Sequence, residues 1–484
     1  MLALIVGLAA LLRLAWLHKA PPAVNWDEAA QGYNAYSLWL TGKDEYGYKW
    51  PLSLRSFDDY KPPLYAYLTA PIVGIWGLNE FTTRLLAAVS GIVSVGLVYL
   101  ITRKLIKDKA VAMIAAGMMA IEPWAIYFSR GAWESNLSLM LFLVVVWLIL
   151  SNQYGWALAL AGLNVFAYHS AKMYVWIIVG WIGVKLLKNR EGWRGSLVGI
   201  IVAGLLFGIS VTKGAGLARF GETSILKVGG AAVGEVTQRY LAYFSPVNLF
   251  VRGSNEPNQR VDGFGLFYAW EIIFWLAGMV WLVKNIKENK FLASWVALGP
   301  LPAIITWSWF NPVRVLPLWA ANAILIATGI RQIWKRLGGT TGKWVWGSVG
   351  GVWAGINLGW YFLALLFYVN YKNFGDWQWG FRETVAAIAP WVDKSDRVVW
   401  ETGQAQPYIF VLFYTKYPPE KYQKERQANH DFGKYEFRKT FWPEDQHLPK
   451  TILVGGAYSL PIEKAITRVY DPQGYESARI VVTE

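Results

Sequence analysis

The sequence contains no cysteine and only four histidines. Without cysteine, the chain can form neither disulfide bonds nor thiolate metal sites. The P-loop, the glycine-rich dinucleotide fingerprint, the His-Glu-x-x-His motif and the Gly-x-Ser-x-Gly motif are missing too, so ATP hydrolysis and zinc-protease chemistry lack their usual sequence support. The histidines lack the spacing of a metal-binding motif, although one of them lies with Lys172 in a tight predicted turn; they are His18, His169, His430 and His447.

Charged residues are also scarce. They make up 16% of the chain, whereas hydrophobic residues make up 55%, and this balance is typical of a polytopic membrane protein rather than a soluble domain. The net charge of +14 comes from basic residues in short runs between apolar segments. That distribution argues against a nucleic-acid partner and for charges that set the orientation in a bilayer.

Apolar segments alternate with polar connections through most of the chain. A window of about twenty residues predicts an α-helical polytopic membrane protein with about eleven transmembrane helices. The first segment lacks the basic start and the small-residue cleavage site of a signal peptide, so we interpret it as a retained anchor. The segments are 1–17, 81–102, 110–128, 136–151, 155–170, 172–188, 196–212, 267–283, 291–308, 313–330 and 344–369.

Four of the connections are rich in lysine and arginine. Strict alternation from a cytoplasmic N-terminus puts all four on the cytoplasmic side, as the positive-inside rule requires. The extracytoplasmic side then receives the outer loops 18–80, 129–135 and 213–266 and the chain beyond about residue 370, so the function is expected there. The basic residues are Arg103, Lys104, Lys107 and Lys109; Lys185, Lys188, Arg190 and Arg194; Lys284, Lys287 and Lys290; and Arg331, Lys335, Arg336 and Lys343.

The chain changes character after residue 370. We therefore predict a transmembrane catalytic domain over 1–370 and a small soluble α/β domain over 371–484, on the extracytoplasmic face. Strand-like runs occur at 397–400, 451–454 and 479–483, around helical stretches near 380–390 and 405–415. The apolar stretch 62–78 is short and interrupted by proline, which favours a helix in the membrane interface.

Short polar islands in the outer loops carry the candidate chemistry. Asp27-Glu28 follows the first apolar segment, Lys61-Pro62-Pro63-Leu64 follows in the same loop, and the second outer loop contains Arg130 and Glu134. In order and topology these motifs resemble the GT-C glycosyltransferases that use polyprenyl-phosphate sugars. The resemblance is to the dolichyl-phosphate-mannose protein mannosyltransferases and the aminoarabinose lipid A transferases, and it spans roughly residues 1–330.

The resemblance implies an inverting transfer of a hexose or pentose from a polyprenyl-phosphate donor to a hydroxyl acceptor. Asp27 matches the family's proton-accepting acid, with Glu28 in a supporting role. Glu134 stands where the family usually has an aspartate. Lys61 matches the basic residue that contacts the donor phosphate. Further donor-phosphate candidates are Arg13 and Arg314, which look similar to family positions, and the outer-loop cations Arg130 and Lys172.

Other residues of the outer loops are candidates for substrate contact. Asp58, Asp59 and Tyr60 flank Lys61, and Arg252 and Arg260 lie in the glycine- and aromatic-rich stretch 213–266. No cofactor is required by the sequence, although Asp27, Glu28 and Glu134 could assemble an oxygen-ligand site for Mg²⁺ or Mn²⁺. The expected partners are the polyprenyl-phosphate-linked sugar, the hydroxyl acceptor, which is a protein, a lipid or an envelope glycan, and the bilayer.

Structural roles compete with these assignments. Asp27-Glu28 could cap a helix, Asp58 and Asp59 could serve a turn, Arg130 and Glu134 could form an i,i+4 ion pair, and Lys172 and Arg314 could snorkel to headgroups. For the whole chain, the alternatives are a lipid or sugar transporter and a catalytically inactive binding relative. The absence of an internal repeat and the outer-loop position of the charges argue against a transporter.

Overall fold

The computed structural model describes residues 1–57, 59–188, 192–212, 233–306, 308–337, 339–403 and 406–484. These residues form two compact units. The first consists of Met1–Ala15, Asp59–Leu64 and Leu85–Ala364. The second consists of Trp16–Asp58, Tyr65–Arg84 and Leu365–Glu484.

Helices dominate the chain up to residue 372. In chain order the α-helices are α1 Leu2–Leu14, α2 Trp26–Thr41, α3 Leu64–Trp76, α4 Glu80–Leu105, α5 Lys109–Ile121, α6 Pro123–Tyr127, α7 Glu134–Leu150, α8 Tyr154–Asn164, α9 Ala171–Lys188, α10 Trp193–Thr212, α11 Val233–Ala242, α12 Ile272–Lys284, α13 Lys290–Leu298, α14 Leu301–Ile304, α15 Leu316–Arg336, α16 Thr340–Leu363, α17 Val369–Lys372, α18 Phe381–Val392, α19 Pro407–Thr415, α20 Pro419–Glu425 and α21 Trp442–Asp445. The strands are β1 Leu54–Ser56, β2 Asp59–Lys61, β3 Arg397–Glu401, β4 Tyr435–Arg438, β5 Thr451–Gly455, β6 Ala465–Tyr470 and β7 Glu476–Val482.

Within the described residues, four helical stretches are long and apolar enough to cross a membrane by length and composition: Glu80–Leu105, Trp193–Thr212, Pro312–Arg336 and Trp344–Lys372. The count of about eleven crossings stays a prediction, because many of the other apolar helices are shorter. One predicted span is broken. The segment 110–128 divides into α5 and α6, since Glu122 precedes a proline and takes an extended backbone conformation instead of continuing the helix.

The helix α15 lies at the centre of the first unit. In the most apolar 18-residue window of Pro312–Arg336, 89% of the residues are buried, and α15 packs against α5, α7 and α12. Two glycines bring α15 and α12 into backbone contact: a Cβ at Gly278 would meet the Leu325 carbonyl, and one at Gly329 would meet the Phe274 carbonyl. Small residues allow apolar helices to approach this closely. The helices α12 and α15 therefore form a tightly packed pair within the first unit.

The second unit contains a five-stranded sheet in the order β4-β3-β5-β7-β6. The strand β3 pairs in parallel with β4 and β5, and β7 pairs antiparallel with β5 and β6. The predicted strands at 397–400, 451–454 and 479–483 correspond to β3, β5 and β7, and the predicted helices correspond to α18 and α19. The sequence pattern missed β4 and β6.

The core of the second unit joins distant parts of the chain. Tyr33 and Leu38 on α2 and Val73 on α3 pack in one buried cluster with Val398 and Phe410. The compact unit therefore includes most of the predicted outer loop 18–80 together with the C-terminal residues. The division of the chain into domains at residue 370 stays a prediction.

Candidate functional site

The start of α2 carries the two predicted acids. Asn25 caps the helix by accepting a hydrogen bond from the Glu28 backbone N–H at 2.9 Å, and the Glu28 carboxylate accepts one from the Asn25 N–H at 3.2 Å. This reciprocal capping box satisfies two backbone donors that a helix start otherwise leaves unpaired. The capping alternative is confirmed for Glu28. Asp27 lies exposed in the first turn.

Arg84 is the partner of Glu28 and was not predicted. Its Nε donates to Glu28 Oε1 at 2.9 Å and its Nη2 donates to Oε2 at 2.8 Å. Arg84 also donates to the carbonyls of Leu17 and Pro21 and to that of Ala23. An arginine in an apolar segment is a sequence signal for a paired charge, since such charges are rarely left unpaired, but it does not identify the partner.

A second buried polar residue lies one turn after Asp27. Gln31 is only 2% exposed, and neither its amide nitrogen nor its amide oxygen has a hydrogen-bond partner among the described residues. Positions i and i+4 share a helix face. Gln31 could thus both donate to and accept from a hydroxyl-bearing molecule on the same side of α2 as Asp27.

In the first unit, Lys61 ends β2 and is only 7% exposed. The two prolines after it have no N–H to donate, so this segment takes its support from the turn between α8 and α9. The Leu64 N–H donates to the Phe166 carbonyl at 3.0 Å. His169 Nε2 contacts the Tyr60 carbonyl at 3.1 Å, and Lys172 Nζ lies 3.5 Å from His169 Nδ1. Two predicted phosphate ligands, Lys61 and Lys172, are brought to one turn.

Arg314 lies in a short 3-10 helix, Pro312–Val315, and its buried Nη1 has no hydrogen-bond partner among the described residues. It interacts electrostatically with Tyr243, which in turn interacts with Tyr168 next to His169. Burial raises the pKa of Tyr243 to about 12, so its phenol stays protonated at neutral pH. The Asn311 N–H donates to the Tyr243 hydroxyl at 3.0 Å. The first unit thus offers an unsatisfied guanidinium donor, as an anion site would.

Arg13 and Arg130 are both fully buried and donate to helix C-termini. Arg13 donates to the carbonyls of Met119 and Ala120 at the end of α5, at 2.8 and 2.9 Å. Arg130 donates to the carbonyls of Leu12 and Ala15 at the end of α1, at 2.8 and 2.9 Å. Guanidinium groups there satisfy orphan carbonyls and complement the helix dipole. Their predicted contact with a donor phosphate stays a prediction.

The remaining predicted residues are spread over the chain. Glu134 begins α7 and is half-buried. Asp59 begins β2, and its Oδ1 accepts from the Tyr60 N–H, while Asp58 lies outside the described residues. Arg252 is exposed, and Arg260 pairs with Asp262 at 2.8 Å. Within the described parts of the chain, no group of three or more His, Cys, Asp or Glu side chains could hold a metal ion.

An apolar groove of about 430 Å³ lies along α9. Its walls come from α7, α9 and α13, and Tyr174, which lines it, donates to the Gly299 carbonyl at 2.8 Å. Lys172 precedes Tyr174, the first residue of α9 that lines this groove, by two residues along the chain. Residues that line it include Phe142, Val146, Tyr174, Trp181, Phe291 and Trp295.

Part of the chain resembles a known protein family. The family model for dolichyl-phosphate-mannose-protein mannosyltransferase matches residues 60–207, a stretch that contains Lys61, Arg130, Glu134 and Lys172. No curated protein sequence matches the chain. The family match supports a glycosyltransferase-type activity, and with the apolar helices it supports an integral membrane protein.

Two solved structures share the fold along almost the whole chain. Crystal structures of ArnT from Cupriavidus metallidurans in the apo state and bound to undecaprenyl phosphate superpose with TM-scores of 0.57 and 0.58, at 13% and 12% sequence identity. Each alignment covers 99% of this chain and 97% of ArnT. The predicted resemblance to GT-C proteins of the protein mannosyltransferase and ArnT-like group is confirmed.

Proposed function

We propose that this chain is an inverting glycosyltransferase that moves a sugar from a polyprenyl-phosphate donor to a hydroxyl acceptor on the extracytoplasmic face of the membrane. One observation carries the proposal. The segment that contains Lys61 is held against the turn before α9, Lys172 contacts His169 of the same turn, and α9 also lines an apolar groove. Cations next to an apolar groove suit an amphiphile with an anionic head, which is the chemistry of a polyprenyl phosphate.

The cations must stabilise the negative charge of the leaving group. When the bond between the anomeric carbon and the phosphate oxygen breaks, the bridging electrons stay with the lipid phosphate, which becomes a dianion. Lys61 and Lys172, with the unpaired Nη1 of Arg314, would stabilise that charge more strongly in the transition state than in the bound donor. The ArnT structure bound to undecaprenyl phosphate supports this donor class for the shared fold.

The acceptor needs a base. In the proposed step, the acceptor oxygen attacks the anomeric carbon from the face opposite the phosphate while its proton passes to the Asp27 carboxylate. A single displacement of this kind inverts the anomeric configuration and leaves no covalent enzyme intermediate. Glu28 supports the step by fixing the start of α2 through its capping box and its pair with Arg84, and Glu134 is retained as the second acid of the site.

The test is transfer of radiolabelled sugar from a panel of polyprenyl-phosphate donors by purified full-length protein, with mass spectrometry of the products. Asp27→Asn and Lys61→Ala should each lower the rate of transfer by at least about a hundredfold, as loss of a general base or of a charge-stabilising group does. Asp393→Asn and Lys464→Ala, which change exposed residues of the second unit, are the matched controls. Adding Mg²⁺ or Mn²⁺ to chelator-treated protein tests for metal dependence.

Other outcomes identify the alternatives. Normal transfer by Asp27→Asn and Lys61→Ala would overturn the assigned mechanism. A protein that moves the intact donor between leaflets of a proteoliposome without breaking the glycosyl bond would be a transporter. A protein that binds the donor but neither cleaves nor moves it would be an inactive relative.

A further inference from the structure

His169 joins two segments of the first unit that both carry proposed phosphate ligands. The segment 59–64 is fixed at two points against the turn between α8 and α9: Leu64 N–H to the Phe166 carbonyl at 3.0 Å, and Tyr60 carbonyl to His169 Nε2 at 3.1 Å. Lys61 lies between these two points. Because Pro62 and Pro63 donate no backbone hydrogen bond, the His169 contact is one of the constraints on the backbone next to Lys61.

The chemistry of its two partners assigns the tautomer of His169. A backbone carbonyl only accepts hydrogen bonds, so Nε2 must carry the proton in its contact with Tyr60. A lysine ammonium only donates, so Nδ1 must offer its lone pair to Lys172 Nζ, 3.5 Å away. The neutral Nε2–H form satisfies both contacts at once. The imidazole therefore links the Tyr60 carbonyl, next to Lys61, to the ammonium of Lys172.

We propose that His169 is a positioning residue that sets the spacing of Lys61 and Lys172 for one lipid phosphate. It would act through these lysines and touch neither the sugar nor the reacting atoms. The proposal rests on the proposed function only for the identity of the phosphate ligand. The physical basis is known from metal sites, where loss of a residue that orients a ligand commonly changes affinity or activity by about ten- to a hundredfold.

Binding of undecaprenyl phosphate to purified full-length protein tests the proposal without requiring turnover. His169→Ala should weaken binding by about tenfold. His169→Gln should stay within about threefold of wild type, because its amide N–H can still donate to the Tyr60 carbonyl and its amide oxygen can accept from Lys172. His447→Ala changes an exposed histidine and should bind as wild type does. Thermal unfolding of each variant identifies any that fails to fold.

In the transfer assay, the same His169→Ala change should raise KM for the donor about tenfold and also lower kcat, since the two lysines that it positions both bind the donor phosphate and stabilise the charge that develops on it. A purely structural role would instead lower the fraction of folded protein and leave the KM of the folded fraction unchanged. Rescue by glutamine separates the two roles, because the rescue depends on hydrogen bonding.

The outcomes separate this proposal from the proposed function. Positioning by His169 is wrong if Lys61→Ala loses binding of undecaprenyl phosphate but His169→Ala binds as wild type does. It is also wrong if folded His169→Gln and His169→Ala proteins bind equally weakly. In both cases the transferase stands. If the His169 variants behave as expected but no donor sugar is transferred, the transferase is wrong and the positioning stands. Absence of undecaprenyl phosphate binding by wild-type protein would overturn both.

Discussion

At the scale of single residues, Asp27 and Glu28 are neighbours in sequence with different surroundings. Asp27 is exposed, whereas Glu28 is 2% exposed and both its oxygens accept from Arg84. A carboxylate held by a buried guanidinium is fixed in position. The unequal roles of the two acids follow from these surroundings: Glu28 organises the helix start, and Asp27 is presented at the surface of α2.

This difference gives a prediction about stability. Glu28→Ala removes one partner of a buried ion pair and should lower the free energy of unfolding by about 3–5 kcal/mol, because it leaves the Arg84 charge buried and uncompensated. Asp27→Asn changes an exposed side chain and should alter that free energy by no more than about 0.5 kcal/mol. Thermal unfolding of the detergent-purified variants measures both, and equal stability of the two variants would contradict the structural role of Glu28.

Arg84 also marks the limit of what the sequence could reveal about the site. The local sequence was enough to predict the two acids and Lys61 as site residues, and to indicate that the loop could cap a helix. The partner of Glu28 lies 56 residues further along the chain, inside an apolar segment that the hydropathy pattern assigned to the membrane. Ion pairs at such separations depend on packing, which no local pattern encodes.

At the scale of secondary-structure elements, the sequence predicted the strands that have a clear local apolar pattern. The strands β3, β5 and β7 are buried along most of their length, and their apolar runs stood out. The strand β4 has only four residues in a charged stretch, and β6 is mostly exposed. Both form because β3 and β7 offer them partners. Pairing of this kind is a non-local property, and it explains why these two were missed.

The contact between α12 and α15 gives the prediction at this scale. Gly278→Ala or Gly329→Ala would drive a methyl group into the backbone of the facing helix, so each should separate the helices and lower the midpoint of thermal unfolding by several degrees. Gly350→Ala, on α16, places its methyl group in open space and is the matched control. A Gly329→Ala protein as stable as the Gly350→Ala protein would show that the helix pair tolerates separation.

At the scale of the whole molecule, chain order and compact units do not coincide. The outer loop was predicted at 18–80, on the extracytoplasmic side, and most of it belongs with residues 365–484 in one unit. The reason is a shared core: α2 and α3 bury apolar faces in the same cluster as α19 and the sheet. Asp27 lies in the second unit, and Lys61, Lys172 and Arg314 lie in the first.

The absence of cysteine makes the orientation of the chain directly testable. A single introduced cysteine is the only thiol in the protein, so a membrane-impermeant maleimide reports the side on which that residue lies. The positive-inside rule predicts that Lys287→Cys, in a basic connection, reacts only after the membrane is opened, whereas Glu420→Cys, in the C-terminal part of the second unit, reacts in intact cells. Both positions are exposed, so accessibility within the fold does not limit the reaction. The unmodified protein should show no labelling, and reaction of Lys287→Cys but not of Glu420→Cys in intact cells would invert the proposed topology and move the transfer to the cytoplasmic face.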